Sequence, residues 1–200
     1  VARPVLTIAQ AKGLPDDALV GLPMRSVSAV FPGSFYVQEL ERASGIRIES
    51  NASVSPNDRV QVFGRLSLVD GCERALTNCK VILGTAGPAV KPMLLNIKAI
   101  GGGDFGPYTP GVYGSDGLNN IGLLVTVAGK VTAVTSDGFY LDDGSAIQDD
   151  SGNTGIKVWT GTANSATKDS MLLVTGVVSC RQGTDDRVYA QILSKQIVPR

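Results

Sequence analysis

The sequence contains no histidine, only three cysteines and a single tryptophan. Histidine is the commonest general base and the commonest metal ligand at neutral pH, so its absence excludes Ser-His-Asp and Cys-His catalysis. The three cysteines form no Cys-x-x-Cys pair, and without histidine they argue against a structural zinc site. No nucleophile can be paired with a histidine base, and we therefore expect a protein that is not an enzyme.

The chain also lacks an excess of charge of either sign and a long apolar run. Eighteen acidic and eighteen basic residues give a formal net charge of zero, so no global field draws the protein to nucleic acid or to an anionic membrane. Binding of either kind must rest on a local patch. No apolar stretch approaches the roughly 20 residues of a spanning helix, so no membrane span is expected.

An initiator methionine is absent, because the sequence begins at Val1. Removal of a signal peptide from a secreted precursor is one interpretation, and a trimmed sequence is the other. The first interpretation predicts a protein that acts outside the cell.

What the sequence does contain is an internal duplication. Val27–Val30 leads through a four-residue connection into Phe35–Gln38, and 104 residues later Val131–Val134 leads in the same way into Phe139–Asp142. Similar segments at a fixed spacing indicate a repeated structural unit. Since 200 residues accommodate two domains of about 100 residues, the repeat predicts two similar domains.

Each copy predicts the same series of short strands. Aromatic and β-branched residues alternate with polar ones between turn signals such as Pro32-Gly33-Ser34. One or two helical turns are predicted at Thr7–Leu14, with Thr7 as N-cap and Gly13 as the stop. The predicted strands are Leu19–Val30, Phe35–Gln38, Ile46–Ile48, Val60–Val69 and Ala75–Leu83 in the first copy, and Leu123–Val134, Phe139–Asp142, Gly155–Trp159, Met171–Cys180 and Arg187–Ile197 in the second.

A long segment rich in glycine and proline lies between the copies. A connection of this length is uncommon in a compact domain, and its apolar section Met93–Ile100 predicts that it packs on the domains. The expected organisation is a first domain with an N-terminal lead at 1–84, a packed linker at 85–119 and a second domain at 120–200.

Five short strands with a glycine in the fourth strand, Gly64 or Gly176, predict that each copy closes into a small Greek-key barrel. The expected fold class is all-β, with two tandem five-stranded barrels and little helix. The motif order V-x-A-V, turn, F-Y-[VL]-x, G-I-[RK]-[IV] and Val-x-Gly resembles the oligonucleotide/oligosaccharide-binding (OB) fold. This fold hosts many functions.

The resemblance extends to the linker. Gly101–Phe105 and Gly117–Gly122 are similar to linkers in tandem OB modules of secreted bacterial proteins of unknown role, which implies a secreted bacterial protein. The family pattern has a glycine in the first strand. The second copy has Gly129 there but the first has Arg25, so we expect the first barrel to be the less regular one.

Alternation along the strands places five polar and aromatic side chains on the outer face of the second and third strands of the barrels. They are Tyr36 and Arg47 in the first copy, and Tyr140, Lys157 and Trp159 in the second. The OB resemblance implies that this face binds single-stranded nucleic acid or glycan, where rings stack on bases and cations neutralise phosphate. A contact between domains or subunits is the alternative, because tyrosine and tryptophan are common there too.

The second copy carries an acidic loop with six extra residues. The candidate ligands for calcium in this loop are Asp142, Asp143, Asp149, Asp150 and Asn153. Oxygen ligands on a bent loop suit calcium, but the loop has no glutamate at the twelfth position of an EF-hand. A solvated turn is the alternative, and no other cofactor is expected.

Two of the cysteines predict a disulfide. Asp70-Gly71 predicts the turn of a hairpin in the first copy. Cys72 and Cys79 are predicted to flank the tip of this hairpin, which would allow a bridge across it. Such a bridge would contribute about 2–3 kcal/mol to stability and would favour an oxidising, extracellular location. Cys180 aligns with Leu68 on a long strand and is either a buried free thiol or one half of an intermolecular bridge.

These observations favour a non-enzymatic secreted surface or structural protein that contacts copies of itself or other surface proteins. Head-to-tail contacts that do not close would make it the subunit of an extracellular filament. The N-terminal lead is the candidate strand for addition to a neighbour's open edge, through Val1, Pro4, Val5 and Leu6. The alternative is an extracellular OB module that binds single-stranded nucleic acid or glycan.

Overall fold

In the computed structural model, which describes residues 2–115, 117–161 and 166–199, each copy of the repeat closes into a five-stranded β-barrel. Strands hold 50% of the residues and helices 6%, so the predicted all-β class with two tandem OB-type barrels is confirmed. Among the described residues, no helix has the length and apolar character that crossing a membrane requires.

The first barrel is preceded by a short strand and one helix. The elements are β1 (Arg3–Pro4), α1 (Ile8–Lys12), β2 (Leu19–Phe31), β3 (Ser34–Gln38), β4 (Gly45–Glu49), β5 (Arg59–Val69) and β6 (Glu73–Leu83). The barrel strands follow the order β2-β3-β4-β6-β5, and β5 pairs back with β2 to close the barrel.

The second barrel repeats this arrangement. The elements are β7 (Met93–Leu94), β8 (Leu124–Thr135), β9 (Gly138–Asp142), β10 (Ile156–Trp159), β11 (Met171–Gln182) and β12 (Val188–Pro199). The barrel strands follow the order β8-β9-β10-β12-β11, and β11 pairs back with β8. All ten strands predicted from the alternation are present, because each buries one face against its own barrel core.

Equivalent residues of the two copies fill the two cores. Phe35 and Val37 lie in the core of the first barrel and Phe139 and Leu141 in that of the second. Each such side chain contributes about 1.5–3 kcal/mol when it is fully buried. The repeated aromatic motif therefore supplies part of the hydrophobic core of each barrel.

The first barrel is the less regular one, as predicted. The pairing of β2 with β5 shifts register between Leu22 and Arg25, whereas β8 runs along β11 without a shift. A Cβ atom added at Gly129 would lie 2.6 Å from the carbonyl oxygen of Asp142. Arg25 at the matching place has a side chain to accommodate, and the β2 backbone bulges there.

The N-terminal lead joins its own barrel. Arg3 and Pro4 pair in parallel with β2, and Val5 is buried in the first core while Leu6 is 76% exposed. The lead thus pairs within its own chain, and its addition to a neighbour's sheet stays a prediction; Val1 lies outside the described residues. The predicted helix is confirmed, since Thr7 caps α1 in a capping box with Gln10.

The linker packs on the second barrel. Met93 and Leu94 form β7 in parallel with β8, and a turn of 3₁₀ helix follows at Ile97–Ala99. Ile97 and Ile100 are buried in the core of the second barrel. The apolar section of the linker therefore extends the second core.

Candidate functional site

The predicted binding face of the first barrel is covered by the second barrel. Tyr36 projects away from its own barrel core, as predicted, but it is fully buried in a cluster with Leu124 and Val177 of the second copy. Its ring meets that of Phe31 edge to face at 5.9 Å between the ring centroids. The face that the OB resemblance implies for ligands is a contact between domains in this chain.

A buried carboxylate joins the two barrels at this contact. Glu73 Oε2 accepts hydrogen bonds from the Tyr36 hydroxyl at 3.0 Å and from Ser179 Oγ of β11 at 2.7 Å. Arg47 Nη1 lies 3.5 Å from the same oxygen and 2.8 Å from Asp70 Oδ2. Burial raises the pKa of Glu73, and the hydrogen bonds and cations around it oppose that shift.

A buried lysine lies in the same junction. Lys12 Nζ donates to the carbonyl oxygen of Ile121 at 2.6 Å, and Thr109 Oγ1 donates to the carbonyl oxygen of Lys12 at 2.9 Å. Burial lowers the pKa of Lys12 to about 8, and the nearby Glu73 partly offsets that effect. Sequence reasoning missed this residue, although it lies four positions after Ile8 on the buried face of α1.

The backbones of the two barrels touch at a pair of glycines. A Cβ atom added at Gly45 would lie 2.1 Å from the carbonyl oxygen of Gly122, which has a φ of +93°. Beside them the backbone N–H of Leu124 donates to Gln38 Oε1 at 2.9 Å. Only residues without a side chain allow this approach.

The predicted Cys72–Cys79 disulfide is wrong. The three cysteines are free thiols. Cys72 lies in the turn between β5 and β6, and Cys79 lies further along β6 on the same side of that turn. An extended strand separates them by about 20 Å, whereas a disulfide needs Cα atoms within about 7 Å. The sequence located the turn at Asp70-Gly71 but not the side on which each cysteine falls.

The face of the second barrel is occupied by its own loops. The Tyr140 hydroxyl donates to Asp149 Oδ2 at 2.7 Å and accepts from Ser151 Oγ at 3.0 Å, which leaves the residue 4% exposed. Lys157 Nζ lies 2.6 Å from Asp137 Oδ1 and 5.4 Å from the centroid of the Tyr140 ring. Neither side chain presents an open surface to a ligand.

The acidic loop is held by protein groups. Asp142 and Asp143 accept backbone hydrogen bonds from Ala146 and Ile97, and Asn153 donates to Ser151 Oγ. Within residues 2–115, 117–161 and 166–199, no three acidic, cysteine or histidine side chains are grouped so as to hold a metal ion. Calcium binding by this loop stays a prediction.

Arg181 of β11 organises the part of the loop nearest the barrel. It pairs with Asp149 at 2.5 Å and with Asp150, whose Oδ2 also accepts from the Thr184 backbone at 2.8 Å. The Arg181 hydrogen bond holds the pKa of Asp150 well below its ordinary value. Sequence reasoning missed Arg181, because nothing in the pattern of β11 indicates which loop its side chain reaches.

An open cleft of about 440 Å³ remains between the barrels, and Trp159 lines it. Its other polar and aromatic lining residues include Phe31, Ser34 and Arg47 from the first barrel and Asp137 and Gln191 from the second. Of the five residues predicted for the binding face, the structure brings only Arg47 and Trp159 together at this cleft. Tyr36, Tyr140 and Lys157 are buried elsewhere in the contacts described above.

Comparison with known proteins found no match to this chain, whether among protein-family models, curated proteins or solved structures.

Proposed function

We propose that this chain is a non-enzymatic, secreted structural protein that acts through protein–protein contacts and assembles head to tail into an extracellular filament. The observation that carries this proposal is a pair of open strand edges, one in each repeat. β6 pairs with β4 only at Ala75 and Leu76, and β12 pairs with β10 only at Gln191–Leu193.

Beyond those residues, the described part of the chain gives each strand a partner on one side alone. In the part of the chain that the structure describes, no strand covers the other side of 77–83 in β6 or of 194–199 in β12. Ile82, Leu83 and Val198 are 39%, 55% and 40% exposed along these edges. An open edge with exposed apolar side chains is a template for pairing with another strand.

Two different edges on one chain favour a second copy as the partner. The edges occupy equivalent places in the two repeats, so the β6 edge of one copy can pair with the β12 edge of the next. Such a heterologous contact extends indefinitely when the rotation between copies does not close a ring. Buried side chains hold the two barrels together, so the β6 edge and the β12 edge keep a fixed relative orientation.

The test uses one variant for each edge. Leu83→Lys blocks the β6 edge and Val198→Lys blocks the β12 edge, and each variant alone should stay monomeric in light scattering at rising concentration. An equimolar mixture of the two should form dimers and nothing longer, because each dimer joins the two intact edges and ends in two blocked ones. Wild type should form filaments in negative-stain images.

Leu118→Lys is the matched control, since Leu118 is 90% exposed but lies in the linker, away from both edges. It should assemble like wild type. A wild-type chain that stays strictly monomeric at all concentrations and salt conditions would overturn the assembly proposal.

A second candidate function is glycan binding in the cleft, favoured by the position of Trp159. A partly exposed indole ring beside hydroxyl, amide and carboxylate groups suits the apolar faces and hydroxyls of a sugar. Single-stranded nucleic acid is disfavoured, because Arg47 is already paired with Asp70 and Lys157 with Asp137. Little cationic charge is left in the cleft to neutralise phosphate.

The chain has a single tryptophan, so intrinsic fluorescence reports on this cleft directly. Titration with neutral and acidic oligosaccharides should shift the emission, and single-stranded DNA at low salt should not. Calorimetric titration of Trp159→Ala with the same sugar should show lost binding. No spectral change with any oligosaccharide at millimolar concentration would remove this candidate.

A further inference from the structure

One cysteine of the first barrel lies in the core of the second. Cys72 is fully buried and, among residues 2–84, it alone belongs to the hydrophobic cluster that fills the second barrel. Cys180 of β11 belongs to the same cluster and is 2% exposed. The turn between β5 and β6 therefore inserts its cysteine into the neighbouring barrel.

Both thiols lie in this one cluster. Burial and, second to it, the nearby Cys72 side chain raise the pKa of the Cys180 thiol. The residue after Cys72 is Glu73 and the residue before Cys180 is Ser179, and these two are hydrogen-bonded, at 2.7 Å. This contact holds the turn against β11 at the residues that adjoin the two cysteines.

Both sulfur atoms are carried by well-held backbone. The Cys72 backbone N–H donates to the carbonyl oxygen of Val69 at 3.0 Å within the turn. Cys180 is paired with Ala190 on the neighbouring strand β12. Both cysteines are therefore held in defined positions in the same cluster.

We infer that Cys72 and Cys180 form a disulfide that joins the two barrels covalently when the protein folds in an oxidising environment. The oxidant is a second disulfide, carried by a small thiol compound or by a protein. The thiolate of one cysteine attacks that disulfide and releases one thiol, and the other cysteine then attacks the mixed disulfide and releases the second thiol. Two protons and two electrons leave the cysteine pair, and the oxidant is reduced to two thiols.

The bond forms before the barrels have fully docked. The thiolate is the attacking species, and burial raises the pKa of Cys180 in the docked chain. No oxidant reaches a cysteine that is buried as completely as Cys72. Reduced, folded protein should therefore oxidise slowly, and unfolded protein should oxidise as it refolds.

Cys79 supplies the matched control. It lies in the middle of β6 against the core of its own barrel, and burial raises its pKa to about 12. It cannot reach either of the other two sulfurs without loss of the β5–β6 pairing. Cys79→Ser should leave the bond intact.

The experiment is refolding of the wild-type chain from denaturant with and without a mixture of reduced and oxidised glutathione. Refolding with glutathione should lower the intact mass by about 2 Da, and peptide mapping should recover a peptide of Cys72 linked to one of Cys180. Because the bond closes a loop of more than 100 residues, the oxidised form should melt about 10 °C above the reduced form.

Cys79→Ser should give the same linked peptide and the same shift in melting temperature. Cys180→Ser should give neither the linked peptide nor the shift in melting temperature. If this variant fails to fold, the peptide map of the wild-type protein still tests the inference. Three free thiols after oxidative refolding, or a Cys72–Cys79 peptide, would overturn the inference. The disulfide inference does not depend on filament formation, because every one of these measurements can be made on monomeric protein.

Discussion

Lys12 has a cationic side chain in a place that disfavours charge. It is buried at the junction, with its amine on the carbonyl oxygen of Ile121. Its pKa in the folded chain is about 8, against an ordinary value of 10.5. Below pH 8 the folded and unfolded states both carry the proton, and the folded state bears the full cost of the buried charge.

Stability should therefore rise with pH in one window. Between pH 8 and pH 10.5 the folded chain loses the Lys12 proton while the unfolded chain keeps it, so the unfolded state binds more protons and unfolding becomes less favourable. The free energy of unfolding of wild type should rise across this window by about 3 kcal/mol relative to Lys12→Met. Urea unfolding at a series of pH values measures it.

Lys130→Met controls for the loss of a lysine, because Lys130 lies on the surface with a side chain 55% exposed. Wild type and Lys12→Met with parallel pH profiles would show that the buried amine does not titrate in this window.

Tyr36 shows where prediction from the sequence ends at the residue scale. Alternation with Phe35 and Val37 gives the direction of its side chain correctly, because that depends only on the pleat of one strand. What covers the side chain depends on Leu124 and Val177, which belong to the other repeat. No local pattern encodes that contact.

At the scale of elements, the acidic loop depends on one arginine of a neighbouring strand. The side chains of Asp149 and Asp150 are 7% and 10% exposed where Arg181 contacts them. Although burial raises the pKa of Asp149, hydrogen bonds from Ser151, Tyr140 and Arg181 hold it below its ordinary value. The carboxylates thus remain charged and need a partner.

Arg181→Gln should lower the free energy of unfolding by about 2–3 kcal/mol, because two poorly solvated carboxylates lose a charged hydrogen-bond donor. Limited proteolysis should then cut the loop at 142–153 first. Arg187→Gln is the matched control, since Arg187 lies on the surface, where its half-exposed side chain pairs with Asp185 at 3.6 Å and stacks on the Tyr113 ring. Equal stability of the two variants would mean that Arg181 does not hold the loop.

The strands themselves were predictable almost to the residue, and the loops were not. Each strand buries alternate residues in its own core, so its pattern is complete within about ten positions. The position of Cys72 illustrates the difference. The sequence predicted the turn at Asp70-Gly71. It did not predict that Cys72, which follows this turn, packs in the other barrel, because that contact depends on Ser179 and Cys180 more than 100 residues away.

At the scale of the whole molecule, docking of the barrels rests on the two glycines in contact. A methyl group on Gly45 would collide with the backbone of Gly122 rather than with a flexible side chain. Overpacking of this kind costs about 1–3 kcal/mol or more. Gly45→Ala should therefore separate the barrels without unfolding either one.

Calorimetry should show this as two thermal transitions in Gly45→Ala where wild type has one. Gly103→Ala is the control, since a Cβ atom there would meet no backbone closer than 3.8 Å. One unchanged transition in Gly45→Ala would mean that the junction can absorb the added methyl group.

The contact between Gly45 and Gly122 also fixes the angle between the two barrels. In a head-to-tail polymer, that angle helps to set the rotation from each copy to the next, and hence the helical pitch. Two residues without side chains, far from either open edge, would then help to determine the shape of a fibre many copies long. A variant at this contact that keeps the barrels docked at a new angle should form filaments with a different twist.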